Sequence, residues 1–348
     1  MKKILVIAPS WVGDSVMAQP LYRRLHERHP GLELHVFAPG WTLPLLARMP
    51  EVAKAHLNPF GHGQLRLIER WKAGRALARE GYDQVIVLPN SLKAALIPFF
   101  ARIPLRTGFV GESRYGLLND TRELDEKLLP MMVERFCALA EDKGVSVQRP
   151  IPYPRLAVDR VRQEGVLTRL GLPFDRPVVA FCPGAEYGPA KRWPTRHFAA
   201  LAQQFQMAGY AVWLFGSAKD RAIGDEIATL AEGAAVNLCG ATGLEEAIDL
   251  LGLTRLAVCN DSGLMHVAAA LDKPLVALYG SSSPDFTPPL SGQASVVSLG
   301  VECSPCFERT CPFGHTRCLE DMTPDHVWNA AQRWLDGAAQ VTPIVLHR

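Results

Sequence analysis

No stretch of this 348-residue chain comes near the roughly 18 consecutive apolar residues of a membrane-spanning helix, which excludes a helical integral membrane protein. Charge excess is missing too. The 37 Lys and Arg against 35 Asp and Glu leave a net charge of +2, so no global field draws the chain to nucleic acid, and any anionic ligand must be held by local groups. The common glycine signatures of nucleotide binding are absent as well. The turn Pro9-Ser10-Trp11-Val12-Gly13-Asp14-Ser15 carries one glycine and no lysine, so it is neither a Walker loop nor a G-x-G-x-x-G fingerprint. That counts against a P-loop NTPase and against an ordinary dehydrogenase or epimerase. There is no D-x-D pair of the kind that chelates a metal in many sugar transferases. Low-complexity tracts and short-period repeats are lacking. The start, Met1-Lys2-Lys3 before an apolar run, looks like a signal peptide, but Asp14 cuts the run short and no small-residue cleavage site follows. A cytoplasmic protein is therefore expected.

What is present is an ordinary folding composition, 48% hydrophobic and 21% charged, in a chain long enough for two cores. Short β-branched apolar runs over 3–8, 32–39 and 82–88 read as buried parallel strands, with helical spacing over 16–29 and 42–49 between them. The same alternation restarts at 178–182 and continues through strands at 211–215, 235–238, 256–259 and 275–279. Helices are expected at 196–207, 221–231, 244–251 and 264–270, with a last one at 325–335 capped by Thr323. Between 148 and 177 the chain is rich in proline and carries a charged run at 159–164, which places a boundary there. The expected class is α/β, with one domain over 1–160 and another over 161–348.

Open parallel sheets bind ligands at the carboxyl ends of their strands, so the loops at those ends are the candidate sites. In the first, Asp14 is either an N-cap or a general base, and read alone the cap is favoured because Asp is a preferred N-cap residue. The second loop, Pro183-Gly184-Ala185-Glu186-Tyr187-Gly188-Pro189-Ala190-Lys191-Arg192-Trp193-Pro194, combines two flexible glycines with cations suited to a diphosphate. A third, Phe215-Gly216-Ser217-Ala218-Lys219-Asp220, offers amides and hydroxyls but is a weak signal. The fourth, Asn260-Asp261-Ser262-Gly263-Leu264-Met265-His266, opens a helix whose first amides can receive a phosphate. Its bland reading is an Asp N-cap and a buried helical histidine. Phosphate binding is favoured because the second loop brings cations to the same sheet edge.

Together these loops resemble the heptosyltransferases of lipopolysaccharide core synthesis, most closely the inner-core branch that adds the second heptose. Tyr279-Gly280-Ser281-Ser282-Ser283-Pro284-Asp285-Phe286-Thr287-Pro288-Pro289-Leu290 is a further matching segment, and the likeness spans nearly the whole chain. The resemblance implies a GT-B architecture, two Rossmann-like domains facing a cleft, with the acceptor on the N-terminal domain and ADP-heptose on the C-terminal one. The terminal helix would be free to pack back on the N-terminal domain. It also implies inverting, metal-independent transfer without a cofactor, from ADP-L-glycero-D-manno-heptose to the first heptose of a lipid A-linked core oligosaccharide. Carried over residue by residue, Asp14 becomes the base and Lys191 the diphosphate cation. Gly184, Glu186, Tyr187, Ser217, Asp261, Ser262, Gly263 and His266 join Lys191 around the donor, and Trp11, Gly13, Asn90 and Lys93 face the acceptor. A lipid-borne acceptor implies peripheral contact with the cytoplasmic face of the inner membrane, for which Lys93, Arg102, Arg106 and Arg114 around the apolar run 94–101 are the expected surface. Heptosyltransferases acting first or third on the core, and a sugar-nucleotide-binding protein without turnover, are the rival readings.

Eight cysteines remain. Cys137, Cys182, Cys239 and Cys259 lie among apolar residues, as buried free thiols do. Cys303, Cys306, Cys311 and Cys318, with His315 among them, are separated by two, four and six residues, a spacing open to a structural metal. Reduced thiols are favoured over a metal there, and disulfides come last in a reducing cytosol.

Overall fold

The computed structural model describes residues 1–61, 63–336 and the backbone of 344 and 345, so the last residues of the expected second domain lie outside the described part. The chain forms two compact units, Met1–Tyr153 and Pro154–Arg348, divided inside the proline-rich segment. Among the described residues no helix is long and apolar enough to cross a membrane.

The first unit runs β1 (Lys3–Ile7), α1 (Val12–Met17), α2 (Gln19–Arg28), β2 (Glu33–Pro39), α3 (Leu43–Leu46), β3 (Lys54–Asn58), α4 (Leu67–Leu77), β4 (Gln84–Val87), α5 (Leu92–Phe100), β5 (Leu105–Phe109), β6 (Asp120–Arg122) and α6 (Met132–Ala138). Its six strands are parallel in the order β3-β2-β1-β4-β5-β6. The central strands carry Leu5, Ile7, Val85 and Val87 into a core shared with Ala95, Ile97 and Leu118. The single helix expected over 16–29 is two. Pro20, at the start of α2, has no amide to continue a ladder from α1, and α1 begins four residues earlier than expected, at Val12.

The second unit follows with α7 (Arg160–Leu170), β7 (Val178–Cys182), α8 (Thr195–Met207), β8 (Ala211–Leu214), α9 (Arg221–Leu230), β9 (Ala235–Asn237), α10 (Leu244–Leu253), β10 (Leu256–Asn260), α11 (Gly263–Ala270), β11 (Leu275–Leu278), β12 (Ala294–Ser298), α12 (Arg317–Glu320), α13 (Pro324–Leu335) and β13 (Ile344–Val345). Its sheet is parallel, ordered β13-β12-β11-β10-β7-β8-β9. The last helix, α13, buries Val327, Ala330 and Ala331 in the core of the second unit, beside Phe205 and Val297.

Both sheets share one winding logic. The chain lays strands to one side of its first strand, then returns to place the next strand on the other side. Each return creates a switch point, between β1 and β4 and between β7 and β10, where neighbouring loops diverge and leave a crevice for a ligand.

Most of the apolar run 94–101 expected at a membrane is core: Ala94, Ala95, Ile97, Pro98 and Ala101 are buried, and Phe99 alone of the run is exposed. Arg106 donates to the carbonyls of Leu117 and Ile103, and Arg114 is 2% exposed with its guanidinium on backbone carbonyls, so neither is available to headgroups. Underneath, α4 crosses α5 so closely that a Cβ on Gly74 would stand 2.6 Å from Phe100 Cβ and 2.8 Å from the Ile97 carbonyl. Alanine gains up to about 1 kcal/mol of helix propensity over glycine, whereas overpacking costs about 1–3 kcal/mol. Gly74→Ala is therefore expected to lower the urea midpoint; a raised midpoint would show that the crossing yields.

Candidate active site

At the first switch point a cleft of about 280 Å³ opens above β1 and β4. Pro9, Ser10, Trp11 and Asp14 form one wall, Leu88, Pro89 and Asn90 another, and Met132, Arg135 and Phe136 of α6 line it as well. Asp14 is not the N-cap. Trp11 is, without a side-chain cap bond, and Asp14 stands in the first turn of α1, partly exposed toward the cleft. A carboxylate here gains from the positive end of the helix and remains accessible to a ligand. Trp11 is 39% exposed, and Trp41 Nε1 donates to the Ser10 carbonyl at 2.8 Å, fixing the loop's path.

The opposite wall is held from beneath. Arg114 donates to the Pro89 carbonyl at 2.7 Å, to Asn90 Oδ1 at 3.2 Å and to the Phe109 carbonyl. Gly13 is buried in α1 and Lys93 lies within α5; neither lines the cleft. Arg135 is the residue that sequence reasoning missed, since α6 was not recognised. Its signal was there: Val133, Phe136 and Cys137 keep the three-four spacing of a buried helical stripe.

At the second switch point the loops after β7 and β10 are stitched together. Asn260, fully buried at the end of β10, accepts from the Trp193 amide at 3.1 Å and donates to the Pro183 carbonyl at 2.7 Å, clamping both ends of the lysine-bearing loop. Trp193 is buried in turn, its indole donating to the Met322 carbonyl at 2.7 Å. Lys191 Nζ meets Asp261 Oδ2 at 2.5 Å, with side chains 17% and 4% exposed. The ammonium also lies 5.2 Å from the Tyr187 ring centre, whose other neighbour is Arg309 at 5.0 Å. Tyr187 and Lys191 have the Tyr-x-x-x-Lys spacing of an acid–base pair, but the tyrosine hydroxyl donates to the Phe307 carbonyl at 2.7 Å. That makes the tyrosine a brace.

Ser262 is the N-cap of α11 without a side-chain cap bond, which leaves the Gly263 and Leu264 amides without an intrahelical partner beside Asp261. His266, one turn on, is 4% exposed. Burial drives its pKa down to about 4, with Lys191 adding to the fall and Asp261 opposing it. It is a neutral imidazole at neutral pH. Ser281 and Ser282, just beyond β11 in the 279–290 segment, are buried and their hydroxyls have no hydrogen-bond partner among the described residues; Ser281 lines a small cavity shared with the C-terminal cysteines. Gly184 is required by close approach, since a Cβ would stand 2.6 Å from the Asp220 carboxylate. The Ser217 hydroxyl donates to Asp220 at 2.8 Å, leaving its oxygen an acceptor only, and Glu186 pairs with Lys219 at the exposed rim. Lys191, Tyr187, Asp261, Ser262, Gly263 and His266 thus come together, with Ser217 and Glu186 flanking them.

Elsewhere, among the described residues, His35, His56 and Glu80 bring ligand atoms within 4.8 Å of one another, at the strand starts of the first sheet. Glu80 is bonded there to Lys3 and Lys54, so the group is an internal ion network. The cysteines expected to be buried, Cys137, Cys182, Cys239 and Cys259, are buried and free.

Two parallel α/β units, each with a ligand edge at its switch point and the second built for an anion, define a sugar-nucleotide transferase of the GT-B class. The chain belongs to glycosyltransferase family 9 (heptosyltransferase), whose model matches residues 70–317. It is 51% identical over 334 residues to lipopolysaccharide heptosyltransferase 2 of Escherichia coli K12, covering 93% of this chain and 96% of that one. The solved structure of E. coli ADP-heptose lps heptosyltransferase II superposes with a TM-score of 0.87 at 47% identity, covering 97% of this chain and all of the other. Lipopolysaccharide heptosyltransferase 1 of Pseudomonas aeruginosa is more distant, 28% identical with 90% of this chain and 88% of that one covered.

His266 gives the site a pH signature. Its folded pKa, about 4, lies below the ordinary 6.5, so the unfolded chain binds the extra proton between these values and stability rises with pH across that window. The contribution is complete above about pH 6.5 and lost as pH falls toward 4. Thermal midpoints measured from pH 7.5 to 4.5 should fall less steeply in His266→Gln than in the parent; identical slopes would place the acid sensitivity elsewhere.

Proposed function

We propose that this chain transfers heptose from ADP-L-glycero-D-manno-heptose to the first heptose of the lipopolysaccharide inner core, with inversion at the anomeric carbon. The observation that carries this reading is the 51% identity to a heptosyltransferase 2 across both units, with the family's loop motifs at the two switch points.

In the mechanism, Asp14 takes the proton of an acceptor heptose hydroxyl as that oxygen attacks the anomeric carbon. The bond from that carbon to the diphosphate breaks, and ADP leaves with the electron pair. Lys191 and the first amides of α11 receive the growing negative charge. Trp11, Asn90 and Arg135 line the acceptor side. Neutral His266, with no charge of its own to compensate, serves as a hydrogen-bonding wall. No metal takes part in the transfer.

A transfer assay with ADP-heptose and acceptors carrying zero, one or two heptoses should require one existing heptose. Preference for zero or two would assign the chain to the first or third transfer. In the same assay Asp14→Asn should keep its fold and donor affinity while turnover drops about 10²–10⁴-fold, the usual contribution of a positioned base. Lys191→Ala should weaken donor binding and also slow turnover, because its charge meets more negative charge in the transition state than in the ground state. Wild-type kinetics in either variant would remove that residue from its role.

Such an acceptor is lipid-borne, so the enzyme works against a membrane. The surface suited to it is the outer face of α4 and the residues just before it, where Leu65, Leu67, Ile68 and Trp71 are 49–68% exposed among exposed Arg66, Lys72, Arg75 and Arg79. Aromatic and aliphatic side chains in a cationic ring fit an anionic bilayer surface. Vesicles containing anionic phospholipid should bind the wild-type chain at low salt and lose Ile68→Ser/Trp71→Ser, with transfer to a soluble acceptor unaffected. Equal binding by both proteins would overturn this placement.

A further inference from the structure

Residues 299–316, between β12 and α12, contain neither helix nor strand. Irregular segments longer than about 12–15 residues are uncommon inside compact units unless something fixes them. This one has little core of its own beyond its first residues, since Leu299 and Val301 join the main cluster while Phe307 and Phe313 are 47% and 65% exposed. Yet it is pinned at defined places on the ligand edge. Ser304 Oγ donates to the Gly280 carbonyl at 2.5 Å and the Phe307 amide to the Ser281 carbonyl at 2.7 Å. The Arg309 carbonyl receives the Ala190 amide at 3.1 Å and lies so close to Gly188 that a Cβ there would stand 2.3 Å from it. The irregular segment therefore backs the loop that carries Lys191.

Hydrophobic burial does not explain its shape, but its cysteines do. Cys303, Cys306, Cys311 and Cys318 line one cavity of about 10 Å³, room for a single small atom. All four are only partly buried, and of them Cys318 packs against the main cluster. The Cys-x-x-Cys pair and the later pair approach the cavity from opposite ends of the segment, as the halves of a four-sulfur site do.

We propose that Cys303, Cys306, Cys311 and Cys318 bind one thiolate-preferring divalent ion, zinc or ferrous iron, in a tetrahedral site that locks this segment against the Lys191 loop. No three of these sulfurs lie within 4.8 Å of one another. Binding draws them inward to metal–sulfur distances of about 2.3 Å, displacing the thiol protons. The ion is structural and lies outside the transfer chemistry, so the site stands whichever sugar nucleotide the enzyme uses. It displaces the reduced-thiol state that the sequence alone favours.

The test is elemental analysis of the full chain, purified without a histidine tag from cells supplied with zinc and iron. About one zinc or iron per chain is expected, with roughly stoichiometric release when a mercurial titrates the thiols. Cys306→Ser and Cys311→Ser should each carry less than about a tenth of that. Should those variants fail to fold, mercurial release from the wild type decides. A second measurement adds cobalt(II) to the reduced, metal-stripped chain, where thiolate-to-cobalt charge-transfer absorption and a raised melting temperature are expected. A wild-type chain with neither zinc nor iron, and with no cobalt absorption, overturns the proposal, and neither readout depends on transfer activity.

Discussion

The ligand edge of the second unit hangs on the ion pair of Lys191 with Asp261, whose side chains are 17% and 4% exposed. Removing two charges from water is costly, and such a pair adds little net stability compared with an apolar packing of the same volume. What it does supply is position. The lysine's long side chain loses its rotational freedom before any substrate arrives, and a carboxylate holds its ammonium at the start of α11. In the proposed reaction the diphosphate would meet a cation, the first amides of α11 and a neutral imidazole already in place, so their reorganisation would not add to the barrier. The clamp made by Asn260 has the same purpose in neutral form, since one amide side chain fixes both ends of the loop that delivers the lysine.

In the first unit the corresponding device is Arg114. Its guanidinium is engaged with two carbonyls and with Asn90, so the wall facing Asp14 is set by a buried cation. One arginine thus joins the end of β5 to the loop after β4. A lysine could not replace it, because a single ammonium cannot span that fork of acceptors.

The sequence made the central elements legible for a simple reason: β1, β2, β4, β7, β10 and β11 are buried on both faces and read as continuous apolar runs. The elements that went unread are the ones whose environment hides their period. β3 is largely exposed and reads Lys-Ala-His-Leu-Asn, β6 is three polar residues, and α4 exposes Leu67, Ile68 and Trp71 while burying Arg70 and Gly74. Among the site residues, Lys191, Asp261 and His266 were readable because cations, a helix start and a strand end coincide in the sequence. Asp14 was misread as a possible cap because its helix starts at Val12, and that start has no capping side chain to announce it. Arg106 and Arg114 looked like surface charge because a burial that depends on backbone carbonyls leaves no trace in composition.

The dependence of the Lys191 loop on the segment around Arg309 also has a consequence in time. A ribosome makes the chain from its amino end, and at about 5–20 residues per second the interval between Pro183 and Cys318 is roughly 7 to 27 s. The first unit carries everything its cleft needs by Tyr153 and can close while the rest is being made. The second cannot: Trp193 waits for the Met322 carbonyl and Ala190 for Arg309, so a nascent chain holds its Lys191 loop unfinished until nearly the end of synthesis.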